Sequence, residues 1–416
     1  MESFRIAGPS RLEGEVAVSG AKNAALPCLA AALLTAEPVE LTGLPDVRDI
    51  RTMRKVLTHM GAFVSPGAEE SVIEAREISH GEAPYELVKT MRASVLVLGP
   101  VLARAGRVRV SLPGGCAIGV RPINLHLDAF RQMGAEVSLE HGYVEAKASR
   151  LKGADIEFET VTVTGTENVM LAAALAEGTT RLRRAAREPE VVDLAQMLRK
   201  MGARISGEGT ETIEIEGVTA LSGAKHRIVP DRIEAGTYAI GAALTRGDVA
   251  VTRCRPDHLA ALTTRLASIG AKVEASGDRL RVRAAGQLAA QDVATAPYPG
   301  FPTDLQAQWM ALATSLEGVS TVTETIFENR FQHVAELVRM GARIALEGRW
   351  AVVEGPARLT GASVMASDLR ASAALVLAGL AAEGTTSVDR VYHLDRGYDR
   401  MEVKLAGLGA RVERVG

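Results

Sequence analysis

The sequence predicts an α/β fold of six repeated units, each about 70 residues long, grouped three to a domain. Three observations lead there. An apolar helical stretch runs into a glycine, an alanine and then a strand at Met60-Gly61-Ala62, Met133-Gly134-Ala135, Met201-Gly202-Ala203, Ile269-Gly270-Ala271, Met340-Gly341-Ala342 and Leu408-Gly409-Ala410. A second kind of helix is rich in Ala and Leu and almost uncharged on every side, as in residues 171–180, 239–248, 311–318 and 377–386. A helix that is apolar all round is a buried helix. Finally, the chain has 416 residues, enough for two or three domains of roughly 100–200 residues. The period is too long for solenoid repeats of roughly 20–50 residues.

The elements follow in order. A strand pair, Ser3–Ile6 and Gly14–Ser19, precedes the first buried helix and needs sheet partners, expected in the C-terminal globule. Each unit then reads helix, strand, helix, strand, strand. The buried helix gives way to a short strand and a polar turn, and an amphipathic helix leads into the next Gly-Ala. Leu194, Met197, Leu198 and Met201 show the helical spacing of that second type. Each junction glycine stands where a helix stops in a left-handed C-cap, and a strand such as Arg204-Ile205 or Lys272-Val273 follows. A crossing near Lys225–Asp231 divides the units three and three. The expected N-terminal domain is 21–229, and the C-terminal domain is 1–20 with 230–416.

Composition excludes several function classes. A net charge of −2 gives no electrostatic footprint for nucleic acid or an anionic membrane surface. The N-terminus lacks the basic flank and apolar core of a signal peptide. The most apolar helical run, Ala24 to Leu34, is shorter than the about 20 residues of a membrane span. The cysteines are Cys28, Cys116 and Cys254, an odd and widely spaced set that forms no disulfide framework and has no zinc spacing. A reducing cytoplasm is expected, with no metal, no cofactor, no membrane insertion and no obligate protein partner. Cys28 and Cys254 read as small core residues.

Polar residues collect at two equivalent places. One is the start of the buried helices: Lys22-Asn23, Arg92, Glu167-Asn168, Asp231 with Glu234, Asp304, and Asp368 with Arg370. Acids there can serve as caps. Lys22, Arg92 and Arg370 are different, because a cation at a helix N-terminus opposes the dipole and invites an anion. The other place is the turn after the middle strand, as in Arg187–Glu190, Cys254–Asp257, Phe327–Arg330 and His393–Arg396. Leu112–Arg121, LPGGCAIGVR, is such a turn enlarged with glycine, which permits sharp bends. It carries a thiol, Cys116, and a fork of donors suited to phosphate or carboxylate, Arg121. It reads either as a glycine-rich turn with an incidental cysteine or as a lid over an anionic substrate. A shared face of such turns would bring cations to a cleft between the domains, where ligands often bind.

Six motifs stand in order along the chain: SGAKNAALP (19–27), LPGGCAIGVRP (112–122), FPTDLQAQ (301–308), FENRF (327–331), SDLRAS (367–372) and DRGY (395–398). Together they resemble the family of UDP-N-acetylglucosamine 1-carboxyvinyltransferases, bacterial enolpyruvyl transferases of peptidoglycan precursor synthesis, over essentially the whole chain. The resemblance implies a two-domain inside-out α/β barrel of six repeats with a double chain crossing, the N-terminal strands joining the second domain, and an active site in the interdomain cleft. It implies transfer of the enolpyruvyl group of phosphoenolpyruvate to the 3′-hydroxyl of UDP-N-acetylglucosamine, releasing phosphate. Roles follow by matching position. Cys116 is the proton donor to carbon 3, since a thiol of ordinary pKa, about 8.5, is protonated at neutral pH. Asp304 is the base for the sugar hydroxyl. Lys22, Arg121 and Arg396 hold phosphate and carboxylate, with Asn23 beside them, and Arg330 and Arg370 are further cleft cations. The nucleotide sugar falls to Arg92, Arg121, Pro122, Ile123, Asn124, Leu125, Val161, Thr162, Val163, Thr164, Asp304 and Ile326. Two positions depart from the family pattern: Asn124 stands where some members have Asp, and Val161–Thr164 lacks a lysine that some carry. The loop cysteine implies alkylation by fosfomycin.

Two rivals share these features in part. The enolpyruvyl transferase acting on shikimate 3-phosphate has the six-repeat fold, but its first motif has Lys followed by Ser and it lacks the Cys loop. A non-catalytic paralogue sensing nucleotide sugar would not need Lys22, Cys116, Asp304 and Arg396 together.

Overall fold

The computed structural model describes residues 2–89, 91–112 and 123–416. Within them, the Gly-Ala junctions end their helices in one way. The glycines have φ of 102° at Gly61, 89° at Gly134, 102° at Gly202, 105° at Gly270, 100° at Gly341 and 89° at Gly409. The following alanine N–H reaches back five residues to a helix carbonyl: Ala62 to Leu57 at 3.0 Å, Ala135 to Phe130 at 2.9 Å, Ala203 to Leu198 at 2.9 Å, and likewise at the other three. This is the Schellman arrangement, which satisfies carbonyls left open at a helix end. Leu57, Phe130, Leu198, Leu266, Leu337 and Leu405 are fully buried beneath these ends.

The strands of the described residues pair into six separate four-stranded sheets. In each, a short strand runs parallel to a second strand, and two antiparallel strands complete the set. The described residues between 20 and 229 form one compact unit. Its sheets are Lys225–Arg227, Val39–Thr42, Glu70–Glu74 and Phe63–Val64; Glu82–Ala83, Arg107–Ser111, Tyr143–Lys147 and Glu136–Glu140; and Asp155–Glu157, Thr179–Arg183, Thr212–Glu216 and Arg204–Ser206. Residues 2–19 and 230–416 form the other unit. Its sheets are Glu13–Ala17, Asp248–Thr252, Arg279–Arg283 and Lys272–Ser276; Val293–Ala294, Gly318–Thr323, Trp350–Gly355 and Arg343–Glu347; and Ser363–Met365, Gly384–Asp389, Ser3–Gly8 and Arg411–Val415.

Each unit takes strands from distant parts of the chain. Lys225–Arg227 runs parallel to Val39–Thr42, so the last strand of the first unit completes its first sheet. Ser3–Gly8 lies antiparallel between Gly384–Asp389 and Arg411–Val415. The two N-terminal strands do not pair with each other. Glu13–Ala17 runs parallel to Asp248–Thr252, in a different sheet.

Strand burial alternates, as in Thr179–Arg183, where only Thr180 and Leu182 face inward. This period of two places one face on the core and one in solvent. Helices fill each core. Lys22–Ala31 is buried from Ala24 onward, Gln306–Ala313 throughout, and Leu369–Ala381 from Arg370 to Leu380. The Ala and Gly content lets such helices approach one another closely, and truncating a buried Leu here costs about 2–5 kcal/mol. Two buried helices begin as tighter 3-10 turns, Arg92–Val97 before Leu98–Ala105 and Thr303–Leu305 before Gln306–Ala313. The third starts earlier than its polar pair suggests. Thr162 caps it by accepting from Gly165 N, so Glu167 lies inside the helix. No helix of the described residues is long and apolar enough to cross a membrane.

Gly61 and Gly202 share φ of 102° but differ in surroundings. An added Cβ at Gly202 meets nothing within 4 Å, whereas at Gly61 it lies 2.0 Å from Ser79 Oγ. Gly202→Ala is expected to lower stability by about 1 kcal/mol, the left-handed backbone cost less the gain from a stiffer unfolded chain. Gly61→Ala should lose more. Urea midpoints of the two variants check the order.

Candidate active-site residues

In the unit containing residues 230–416, three expected site residues come together. Asp304 sits in the turn Thr303–Leu305, ahead of a buried helix. Arg330 Nη2 donates to Asp304 Oδ1 at 2.6 Å, and Arg370 Nη2 to Oδ2 at 3.0 Å. Arg330 Nη1 also donates to Thr303 Oγ1 at 2.9 Å. The arginine side chains are only 4% and 6% exposed, while the Asp304 side chain is 24% exposed. Asp304 is therefore the most accessible of the three. Burial pushes the Asp304 carboxyl up, but Arg370 and then Arg330 outweigh it and hold the group well below the usual carboxylate range. Burial likewise works against the Arg370 charge, and Asp304 restores it. Arg330 Nε and Arg370 Nη1 remain buried without an acceptor among the described residues. Unpaired buried donors are costly, so this cluster is poised to take another acceptor.

Glu324 organises the turn that carries Arg330, and sequence reasoning missed it. It is fully buried. Its Oε1 accepts from Thr295 Oγ1 at 2.9 Å, Ile326 N at 2.8 Å and Phe327 N at 3.2 Å. Its Oε2 accepts from Thr303 Oγ1 at 2.8 Å. Ile326 is thus fixed through its main chain. The one sequence signal is an acid closing a strand of alternating apolar residues. Arg396 ends the turn Val391–Arg396 and is half-buried.

The other acids at helix starts behave differently. Asp231 caps Arg232–Leu244, accepting from Ile233 N at 2.7 Å and Glu234 N at 3.0 Å. Asp368 caps Leu369–Ala381 through Arg370 N and Ala371 N. Arg255 and Asp257 form an exposed surface pair at 2.9 Å.

In the unit of residues 20–229, Lys22 opens the first buried helix and its Nζ lies 3.0 Å from Asp49 Oδ2, both side chains being largely buried. Lys22 and Arg370, read from sequence as cations awaiting an anion, each meet a carboxylate of their own unit. Asn23, beside Lys22, is exposed, and Arg92 begins its 3-10 turn half-buried. Ile123, Asn124 and Leu125 form the start of Asn124–Gln132. Val161, 43% exposed, precedes the Thr162 cap, and Val163 and Thr164 form the first turn of Val163–Ala173. The buried His126 joins these two segments. Asn168 Nδ2 lies 3.0 Å from His126 Nδ1, and His126 Nε2 lies 3.4 Å from Thr164 Oγ1. Burial pushes this imidazole down to about 4, so it is neutral. Cys116, Arg121 and Pro122 lie outside the described residues.

Cys28, Asp193 and His226 place ligand-type atoms within 4.8 Å of one another. Hydrogen bonding accounts for the group. Lys200 Nζ, 3.1 Å from His226 Nδ1, leaves the ring proton on Nε2, facing Asp193 Oδ1 at 3.0 Å. The Cys28 thiol is pushed well up by burial, then by Asp193 and Glu167, as suits a protonated core residue. Cys254 is also buried.

The geometry can be set beside known proteins. The family model described as EPSP synthase (3-phosphoshikimate 1-carboxyvinyltransferase) matches residues 6–405. A UDP-N-acetylglucosamine 1-carboxyvinyltransferase of Koribacter versatilis is 59% identical, the match covering 100% of this chain and 97% of the relative. One of Solibacter usitatus is 57% identical, covering 100% of both. Among solved structures, the enolpyruvyl transferase NikO of Streptomyces tendae superposes with a TM-score of 0.91 at 27% identity, covering 100% of this chain and 99% of that one. EPSP synthase of Acinetobacter baumannii shares the fold at a TM-score of 0.76 and 18% identity, covering 100% of both chains.

Glu167 is buried, with Oε1 unpaired among the described residues. Burial, then Glu190 and Glu188, push its carboxyl well up. Below the usual glutamate pKa of about 4.3 it is protonated folded or unfolded; as pH rises further the unfolded chain ionises first, and stability falls toward the folded pKa. Glu167→Gln is therefore expected to raise the urea midpoint at pH 7.5, with little difference from the parent at pH near 4.

Proposed function

The chain belongs to the UDP-N-acetylglucosamine 1-carboxyvinyltransferases, within the wider EPSP synthase family, and we propose on that footing that it transfers the enolpyruvyl group of phosphoenolpyruvate to the 3′-hydroxyl of UDP-N-acetylglucosamine with release of phosphate. The observation that carries this reading is full-length identity of 56–59% to four relatives of that name. The shikimate enzymes, at 18% identity, share the fold alone.

The chemistry runs by addition and elimination. Cys116 gives a proton to carbon 3 of phosphoenolpyruvate, which makes carbon 2 electrophilic. The sugar 3′-oxygen bonds to carbon 2 and yields its proton to Asp304. The Cys116 thiolate then takes a proton back from carbon 3, and phosphate leaves carbon 2 with the proton held by Asp304, which restores the double bond and both side chains. Asp304 suits the base role by its partly exposed side chain and its fixed ionised state. Its clasp by Arg330 and Arg370 makes it a weak base at rest, so proton transfer accompanies attack instead of preceding it. Lys22, Asn23, Arg121 and Arg396 take the phosphate and carboxylate, where preorganised cations stabilise developing charge. Arg92, the residues Arg121–Leu125, Val161–Thr164 and Ile326 take the nucleotide sugar. His126 supports that assignment by holding Thr164 to the helix that begins at Asn124. The reaction so placed is the first committed step of peptidoglycan precursor synthesis, in the cytoplasm.

Phosphate release tests the reading. Release from phosphoenolpyruvate is expected with UDP-N-acetylglucosamine and not with shikimate 3-phosphate; the reverse would overturn it. Asp304→Asn should lower kcat by about 100-fold or more. Cys116→Ser should lose most turnover, and fosfomycin should add its mass to Cys116 in the parent.

A further inference from the structure

Behind the Asp304–Arg370 pair lies a polar knot to which the reaction above gives no role. Thr237, Gln308 and Tyr398 are 0%, 0% and 2% exposed. They come from helix Arg232–Leu244, helix Gln306–Ala313 and the segment after Val391–Arg396. Thr237 Oγ1 donates its single proton to the Ile233 carbonyl at 2.8 Å. At its 2.8 Å contact with Tyr398 Oη the phenol is therefore the donor. The phenol oxygen keeps its lone pairs for Gln308 Nε2 at 3.1 Å. Gln308 Nε2 also donates to the Asp304 main-chain carbonyl at 3.1 Å and approaches Thr237 Oγ1 at 3.1 Å. With two protons, it gives one to Asp304 and shares the other between the two hydroxyl oxygens. The Tyr398 ring lies beneath Arg370, with the guanidinium carbon 5.6 Å from the ring centroid.

One end of the knot thus grips the main chain of Asp304, and the other supports the guanidinium that holds the Asp304 carboxylate. The contacts made by Gln308 Nε2 and the two hydroxyls have defined proton directions, and hydrogen bonds shared in this way rigidify a buried cluster. We infer that Tyr398, with Gln308 and Thr237, is a positioning residue that fixes the Asp304–Arg370 geometry and so sets how readily Asp304 accepts the sugar proton. The inference rests on the base role proposed for Asp304.

The electrostatic consequence has a definite sign. Asp304 faces Arg330 and Arg370 directly. Tyr398 and Asp231 act on it through Arg370, and Glu324 through Thr303 and Arg330. His333, packed near Arg330, is pushed down to about 4 by burial and is neutral above that. Loosening the knot weakens the Arg370 contact, which raises the Asp304 pKa and moves the acid limb of kcat to higher pH.

The test compares Tyr398→Phe and Thr237→Val with the parent and with Tyr238→Phe. Tyr238 is a fully buried phenol whose oxygen has no partner among the described residues, so its loss measures a general core change. Tyr398→Phe and Thr237→Val are expected to lower kcat by about 10-fold or more, to leave both KM values within about twofold, and to shift the acid limb upward. Tyr238→Phe should leave the limb in place. An unmoved limb in Tyr398→Phe and Thr237→Val, whatever their kcat, would overturn the inference, as would an equal shift in Tyr238→Phe. If Tyr398→Phe does not fold, Thr237→Val alone decides by the same criterion. A parent without turnover would sink the proposed function and this inference together; an active parent with unshifted variants would sink only the latter.

Discussion

A helix buried on every side has nowhere to carry polar chemistry except its ends. That constraint governs this molecule. The central helices are apolar along their length, so their first turns, and the turns that pack against them, must hold the groups that can meet a ligand. Lys22, Arg92, Asp304 and Arg370 all fall at such starts. The same constraint dictates what happens to their charge. An uncompensated buried ion costs several kcal/mol, so each described cation near a core needs an acid close by. Asp49 serves Lys22, and Asp304 serves Arg330 and Arg370.

Equivalent positions in a repeat do not imply equivalent work. Asp231, Asp304 and Asp368 all stand where a buried helix begins. Two of them cap, because the exposed N–H groups of the helix lie within reach of a short side chain. Asp304 does not, because its helix begins as a 3-10 turn and two guanidiniums lie closer to the carboxylate. A capping acid is consumed by the fold. Asp304 instead binds two guanidiniums, and that difference separates it from its counterparts.

Much of the fold was legible in sequence because its signals are local. A glycine-alanine step after a helical apolar pattern specifies a Schellman end within five residues, and all six formed. The buried helices could be read from their lack of any polar face. Partnership across long separations was read only to the level of domains, through the family resemblance, and not strand by strand. Nothing local says that Ser3–Gly8 pairs with Gly384–Asp389 and Arg411–Val415, or that Lys225–Arg227 pairs with Val39–Thr42. The proposed site residues were named through the family resemblance, but the Asp304–Arg370 contact joins residues 66 apart, and Glu324 and His126 belong to no motif. Sequence suggested unpaired cations at Lys22 and Arg370, since dipole reasoning sees one helix at a time and not the acid on the next element.

The strand exchange has a consequence for biosynthesis. The unit of residues 20–229 lacks an edge of its first sheet until Lys225–Arg227 has left the ribosome. The other unit is in a harder position. Ser3–Gly8 is made long before either of its neighbours in the sheet, Gly384–Asp389 and Arg411–Val415. Phe4 and Ile6, fully buried in the finished protein, therefore stay without their sheet while nearly the whole chain is translated. At roughly 5–20 residues per second that wait spans tens of seconds. The nascent chain thus carries this strand with unpaired edges until residues 384–389 and 411–415 have been made. The native state of that unit is reached only through contacts of very high sequence separation.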